Sequence, residues 1–190
     1  MSQETPTNDS SGAAPSPDAA PAPASIELTV GGQKRAVTYE QAFALACGLL
    51  ENDRIEDASR IFRRLEEFTD RGPRAFIMHA FCESAAKHFD ASKEQLDAAF
   101  EGQDPKLAAT INDAFVYYHV AGRQDGMRML GEIIDTHEEL PTLCLLLGNM
   151  LEASGNAALA KRCWSLAVHR DREGGAVAAV AMHRLRHAGE

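Results

Sequence analysis

The sequence lacks the features that several large classes of protein require. Of its 190 residues 19 are Lys or Arg and 28 are Asp or Glu, which gives a formal net charge of −9. Nucleic-acid binding needs a concentrated basic surface, and no run approaches the roughly 18 consecutive apolar residues of a membrane span. The first residues carry neither the basic region nor the apolar run of a secretory signal. We therefore expect a cytoplasmic protein that binds neither nucleic acid nor membrane.

Motifs that carry catalysis or hold metals are also missing. The sequence has no phosphate-binding glycine loop, no zinc-protease helix motif and no nucleophile elbow. Its four cysteines are too far apart for a metal knuckle or a redox motif and lie in apolar surroundings, where a free thiol packs as a small hydrophobe; they are Cys47, Cys82, Cys144 and Cys163. We expect no cofactor, no metal and no catalytic residue.

Three weaker candidates have simpler interpretations. His183 and His187 are four residues apart and share a helix face, but two imidazoles without a third ligand make a weak metal site. The carboxylates within 66–70 and 132–139 are typical of solvated helix faces. The aromatic run Phe115 to Tyr118 fits a helix core better than a ligand pocket. None of these sites predicts an enzyme.

Composition changes along the chain indicate where the folded domain begins. Residues 1–25 are rich in Pro, Ala, Ser, Thr and Asp, and such a segment cannot bury enough surface to offset the entropy of ordering, so a disordered tail is expected. Residues 26–38 alternate apolar and polar side chains around Gly31-Gly32, which predicts a β-hairpin. Thr38 and Gln41 then form the capping box of a first helix.

From residue 39 onward, helical apolar spacing is interrupted at regular intervals by turn-forming Gly, Pro and Asn. The interruptions divide this part of the chain into pairs of short helices with a period near that of known helical repeats. The repeats are placed at about 39–72, 73–107, 108–140 and 141–174, and a C-terminal capping helix at 175–187.

The last repeat places Leu147 beside Gly148 in its first helix and a small-bulky-small series in its second, Ala160, Trp164 and Ala167. Small residues let two helices approach closely and large ones fill the gaps. This pattern resembles the tetratricopeptide repeat. The first repeat follows it with Leu45-Ala46, Leu49, Ala58 and Phe62. The second is degenerate, with His79 and Glu83 at apolar positions, and the third departs from it with Met127 and Gly131. A helical bundle without repeats remains the alternative.

The resemblance implies an all-α fold: an α-solenoid of about four tetratricopeptide-like repeats with a capping helix. In such a solenoid the first helices line a concave groove that binds a peptide or helix. The residues expected there are Phe43, Cys47, Leu50, Arg74, Ile77, Phe81, Asn112, Val116, His119, Val120, Leu145, Asn149 and Glu152.

Two functions follow from this resemblance. The first is an adaptor or chaperone-like protein that binds another protein or peptide without catalysis. The second is a self-associating structural protein, such as a homodimer, whose C-terminal helix enters the groove of a second copy. The Lys and Asn cluster of carboxylate-binding family members is missing, since the corresponding positions hold Phe43, Cys47, Met78, Ala109 and Asp113.

Overall fold

The structure, a computed structural model, describes residues 25–30, 33–172 and 175–188. It begins with an antiparallel hairpin of β1 (Ser25–Val30) and β2 (Gln33–Thr38), in which Ser25 pairs with Thr38. The hairpin's buried face carries Ile26 and Leu28 and packs against the first helix. The predicted hairpin is confirmed. The tail predicted before it and the two glycines between its strands lie outside the described residues.

Nine α-helices follow in the described part of the chain. Their bounds are α1 (Tyr39–Glu51), α2 (Ile55–Leu65), α3 (Arg74–Ala85), α4 (Phe89–Ala99), α5 (Pro105–Val116), α6 (Arg123–Thr136), α7 (Pro141–Ala153), α8 (Ala157–Arg170) and α9 (Ala176–His187). A 3-10 turn at Thr69–Arg71 precedes α3, and a π-helical turn at Tyr117–Ala121 extends α5. None of the described helices is long and apolar enough to cross a membrane. The predicted helical class is confirmed.

Local sequence explains where several helices begin. At α1 the Gln41 N–H donates to the Thr38 hydroxyl at 3.3 Å and the Thr38 N–H donates to the Gln41 side chain at 3.1 Å, which confirms the capping box. At α5 the Asp104 carboxylate accepts from the Leu107 N–H at 2.9 Å, and Pro105 occupies the first helical position, where its missing N–H costs nothing. Helix α5 therefore begins at Pro105, three residues before the predicted start of the third repeat.

Small residues set how closely paired helices approach. A Cβ atom at Gly148 of α7 would overlap the Trp164 indole of α8, and one at Gly126 of α6 would lie 2.6 Å from the Ala114 carbonyl oxygen of α5. Trp164 also donates to the Asn149 side chain at 2.9 Å. The close approach predicted at Gly148 is thus present.

The two ends of the helical region meet. Helix α9 packs on α8, its neighbour in the chain, and also on α1 and α7. Asp171, whose side chain is fully buried, accepts from Arg74 of α3 and from the Ala178 N–H, both at 2.8 Å. These contacts fix the start of α9 against the first half of the molecule.

Candidate functional site

The chain's own C-terminal helix occupies the face that the sequence predicts as a binding groove. Four predicted groove residues are almost completely inaccessible: Phe43, Cys47, Ile77 and Leu145. Burial raises the pKa of the Cys47 thiol, and the Arg184 guanidinium of α9 opposes that rise, which places α9 beside α1. These four side chains belong to the core, so their prediction as surfaces of an open groove is wrong. Short apolar residues on α9 permit its close packing here.

Five other predicted residues do come together, at the rim of that face. Here the carboxyl ends of α1, α3 and α7 meet the π-helical turn and Arg184, around a cavity of about 610 Å³ that we call the mouth pocket. The predicted residues that line it are Leu50, Phe81, His119, Asn149 and Glu152. Sequence reasoning therefore identified part of a real concavity, although α9 closes the rest.

The charges of the mouth pocket are largely satisfied within the chain. Arg184 pairs with Glu51 and lies 3.7 Å from Glu152. Burial, aided by Arg123, lowers the pKa of His119 to about 4, so this imidazole is neutral at pH 7. The His119 ring packs 5.0 Å from Phe81, and its Nε2 has no hydrogen-bond partner. Glu51 and Glu152 are therefore paired within the chain, whereas Arg123, which also lines this pocket, has no ion-pair partner among the described residues.

The remaining four predicted residues are dispersed. Arg74 is held in its ion pair with Asp171, and Asn112 accepts a hydrogen bond from Ser92 at 2.9 Å. Val116 is half-buried and Val120 is 60% exposed on the π-helical turn. None of the four lines the mouth pocket.

A larger and more apolar concavity lies between α6 and α8, above α7. It encloses about 970 Å³, toward the upper end of the roughly 300–1,000 Å³ of ligand-binding sites. We call it the α6–α8 groove; its lining residues are Arg123, Gln124, Met127, Arg128, Gly131, Ile134, Asp135, Leu147, Leu151, Ser154, Asn156, Leu159, Arg162, Cys163 and Leu166. Those from α6 and from α8 each recur at intervals of one to four residues, so one face of each helix forms a wall along its length.

Two contacts establish the relative direction of α6 and α8, the helices that form the walls. Near the start of α6 the Met127 sulfur lies 3.9 Å from the hydroxyl of Ser154, which precedes α8. Near the ends of both helices, Arg170 of α8 donates to the Ile134 carbonyl of α6 at 2.8 Å. Helices α6 and α8 therefore run in the same direction, with both amino ends at one end of the groove.

The α6 wall of the groove has one position without a side chain. Gly131 lies in the middle of α6, and a Cβ atom there would meet nothing within 4 Å. Leu159 on the opposite wall is 41% exposed, a high fraction for a large aliphatic side chain. The apolar floor comes from Leu147 and Leu151 of α7.

Sequence reasoning missed this groove, although the signal was present. Met127 and Gly131 stand where the third repeat departs from the tetratricopeptide pattern, and both line the groove. A glycine inside a helix costs about 1 kcal/mol relative to alanine, so its presence at an open position is a sign that bulk is excluded there. Predicting that the two walls face each other required the fold.

The degenerate second pair contains a buried polar network. His79 is nearly inaccessible, and its two ring nitrogens lie 2.5 Å from a Glu66 oxygen and 3.1 Å from a Glu83 oxygen. Glu83 also accepts from Ser59 at 2.9 Å and pairs with His88. The pKa of Glu83 is lowered because its hydrogen bonds to His88 and Ser59 outweigh its burial. This network joins α2 to α3 and explains the polar residues at positions expected to be apolar.

Comparison with protein-family models, with curated proteins and with solved structures found no match. Function is therefore inferred from the surfaces of the described residues. Of the two concavities, the α6–α8 groove is the larger and has the more apolar lining, and it is the candidate functional site.

Proposed function

We propose that this chain is a protein-interaction module, and not an enzyme, which binds a peptide or helix of another protein in the α6–α8 groove. The observation that carries the proposal is an open groove with an apolar floor on a chain whose other apolar face is already covered. Apolar surface left open along two parallel helices is typical of sites that receive an amphipathic segment.

The proposed architecture is an α-solenoid of tetratricopeptide-like helix pairs, closed by α9. Its support is the packing of successive helices together with the close approaches at Gly126 and Gly148. The binding site proposed here differs from the concave groove of that family, because α9 packs on α1 and α7 where such a ligand would lie.

Packing within one chain favours an adaptor over self-association. The inward-facing side chains of α9, among them Val177 and Ala181, are buried against the same chain. A helix committed in this way would have to leave its own core before it could enter a second copy. We therefore place the α9-mediated homodimer second.

Selection from a displayed library of helical peptides tests the proposal on the full chain. Peptides selected on the wild-type protein should bind the Gly131→Leu variant at least about tenfold more weakly, the loss that follows when about 1.4 kcal/mol of contact is removed. A Cβ atom at this position meets nothing within 4 Å, so the variant should fold.

Gly48→Leu is the matched control. Gly48 also lies within a helix, a Cβ atom there also meets nothing within 4 Å, and the residue does not line the groove. Binding should be retained in this variant. If selected peptides bound both variants as tightly as wild type, the groove would not be the binding site.

A further inference from the structure

Charge is distributed unevenly along the α6–α8 groove. Arg123 lies at the end where α6 begins, Arg162 lies midway along α8, and Asp135 lies at the end where α6 terminates. Arg128 is already paired with Glu132 at 2.6 Å. Within the part of the chain that the structure describes, neither Arg123 nor Arg162 forms an ion pair. The groove thus offers two cations without an ion pair, Arg162 and Arg123, although the Arg123 guanidinium also lies over the Tyr118 ring at 5.8 Å and the chain as a whole is acidic.

Helix dipoles reinforce this polarity. Because α6 and α8 run in the same direction, both positive amino ends lie beside Arg123 and both negative carboxyl ends lie toward Asp135. Each helix end carries about half an elementary charge. The amino end of the groove is therefore positive. At the other end Asp135 is negative, but Arg170 donates to the Ile134 carbonyl there, so the polarity of the groove rests chiefly on its amino end.

The chain's own segments do not fit the groove. Residues 1–24 carry acidic side chains but no aliphatic residue larger than proline except Met1, so they have little to place on Leu147 and Leu151. The large apolar residues exposed in the described chain, Tyr117, Val120, Leu159 and Met182, lie on three separate elements. No described helix presents them as a stripe to a second copy.

We infer that the occupant is an amphipathic helix of another protein, antiparallel to α6 and α8, with Asp or Glu in its C-terminal half. This inference rests on the proposed function. In that orientation the partner's carboxylates and its negative carboxyl end meet Arg123, and its positive amino end faces Asp135. The wall from Arg123 to Asp135 extends about 18 Å at 1.5 Å per residue, which matches a partner helix of three to four turns.

The net charge of −9 does not prevent an acidic partner from binding. At physiological ionic strength, charges farther apart than about 8 Å are largely screened. Residues within the groove therefore determine the partner's preference, and the remainder of the acidic surface slows its approach.

Three stapled peptides of about 14 residues, long enough to span the groove, test this inference on the full chain. All share one leucine face, and the staple equalises their helicity. The first has glutamates in its C-terminal half, the second has the same glutamates in its N-terminal half, and the third has lysines in place of the glutamates of the first. Calorimetry or fluorescence anisotropy measures each dissociation constant.

The dissociation constant of the first peptide should be at least about tenfold lower than that of the third and several-fold lower than that of the second. Both differences should shrink as the salt concentration is raised. Arg162→Glu should remove the preference for the first peptide over the third. Lys161→Glu is the matched control, since Lys161 is the adjacent exposed cation of α8 and does not line the groove.

Other outcomes separate this inference from the proposed function. If all three peptides bound with equal affinity to wild type and lost it in Gly131→Leu, the groove would bind helices but the assigned charge and direction would be wrong. Binding that was unaffected by Gly131→Leu, or no binding by any peptide, would overturn both.

Discussion

The two apolar surfaces of this molecule differ in what covers them. The face formed by α1 and α7 is covered by α9, and its predicted ligand-binding residues Phe43 and Leu145 are core residues. The α6–α8 groove has an apolar floor of similar character, with Leu147 and Leu151 on α7, but nothing in the described chain fills it. An apolar helix face predicts burial in either case; only the fold shows whether the chain supplies the covering surface itself.

A carboxylate introduced into each of the two regions should give the largest difference in the free energy of unfolding. Val177→Asp places a carboxylate at a fully inaccessible site of α9 and should lower the free energy of unfolding by about 3–5 kcal/mol, as an uncompensated buried charge does. Leu159→Asp should change it by within about 0.5 kcal/mol, as at other surface positions, because Leu159 is already 41% exposed. Urea denaturation measures both, and equal losses would mean that the groove is as well packed as the α9 interface.

The ion pair that anchors α9 is the next test. Arg74→Met leaves the Asp171 carboxylate buried with only the Ala178 N–H as partner and should cost about 3 kcal/mol, at the lower end of the range for a broken buried pair. Arg63→Met, at an exposed position of α2, is the control and should be nearly neutral. A loss below 0.5 kcal/mol, the size of an ordinary surface change, would show that this pair does not hold α9 in place.

Two glycines distinguish close packing from open space. Gly148→Leu overlaps the Trp164 indole and should destabilise the chain by about 1–3 kcal/mol, the usual cost of overpacking. At Gly131 a Cβ atom meets nothing within 4 Å, so Gly131→Leu should be neutral or stabilising by up to about 1 kcal/mol, because leucine favours helix. Thermal melts of both variants check this, and a reversed order would contradict the packing described for α6 and α7.

The smallest expected effect is the pH dependence of the free energy of unfolding that His119, in the mouth pocket, produces. Its pKa falls from 6.5 to about 4 on folding, so the unfolded chain binds more protons between these values. Its contribution to stability is fully present above pH 6.5 and decreases as the pH falls toward 4.

Partial exposure limits that loss to the order of 1 kcal/mol. His119→Gln should therefore flatten the decline in unfolding free energy between pH 6.5 and 5. That range lies above the lowered pKa of Glu83, whose protonation contributes only at lower pH. An unchanged slope would mean that His119 is solvated in the folded chain.

Much of the fold could be predicted because its signals are local. Alternating Ile26 and Leu28, the Thr38 capping box and the turn residues between helices each specify a conformation within a few residues. The Asp104-Pro105 cap is a local signal of the same kind for the start of α5. The close approach at Gly148 was likewise predictable from a small residue beside a large one.

The candidate site could be predicted only in part, because it depends on contacts between distant residues. Phe81 and Asn149 lie eight residues after the starts of their predicted repeats, and this shared position explains why both line the mouth pocket. The burial of Cys47 could not be foreseen, because the Arg184 guanidinium beside it belongs to α9, more than 130 residues away along the chain. The α6–α8 groove likewise needs the relative positions of two helices that sequence periodicity does not specify.

Hydrogen–deuterium exchange of the full chain, with and without a library-selected peptide, tests the central claim most directly. The account predicts slower exchange at amides of α6 and α8 on peptide binding, with α1 and α9 unchanged. Faster exchange in α9 together with protection of α1 and α3 would contradict it, because the ligand would then have displaced α9 and entered the face that the chain itself covers.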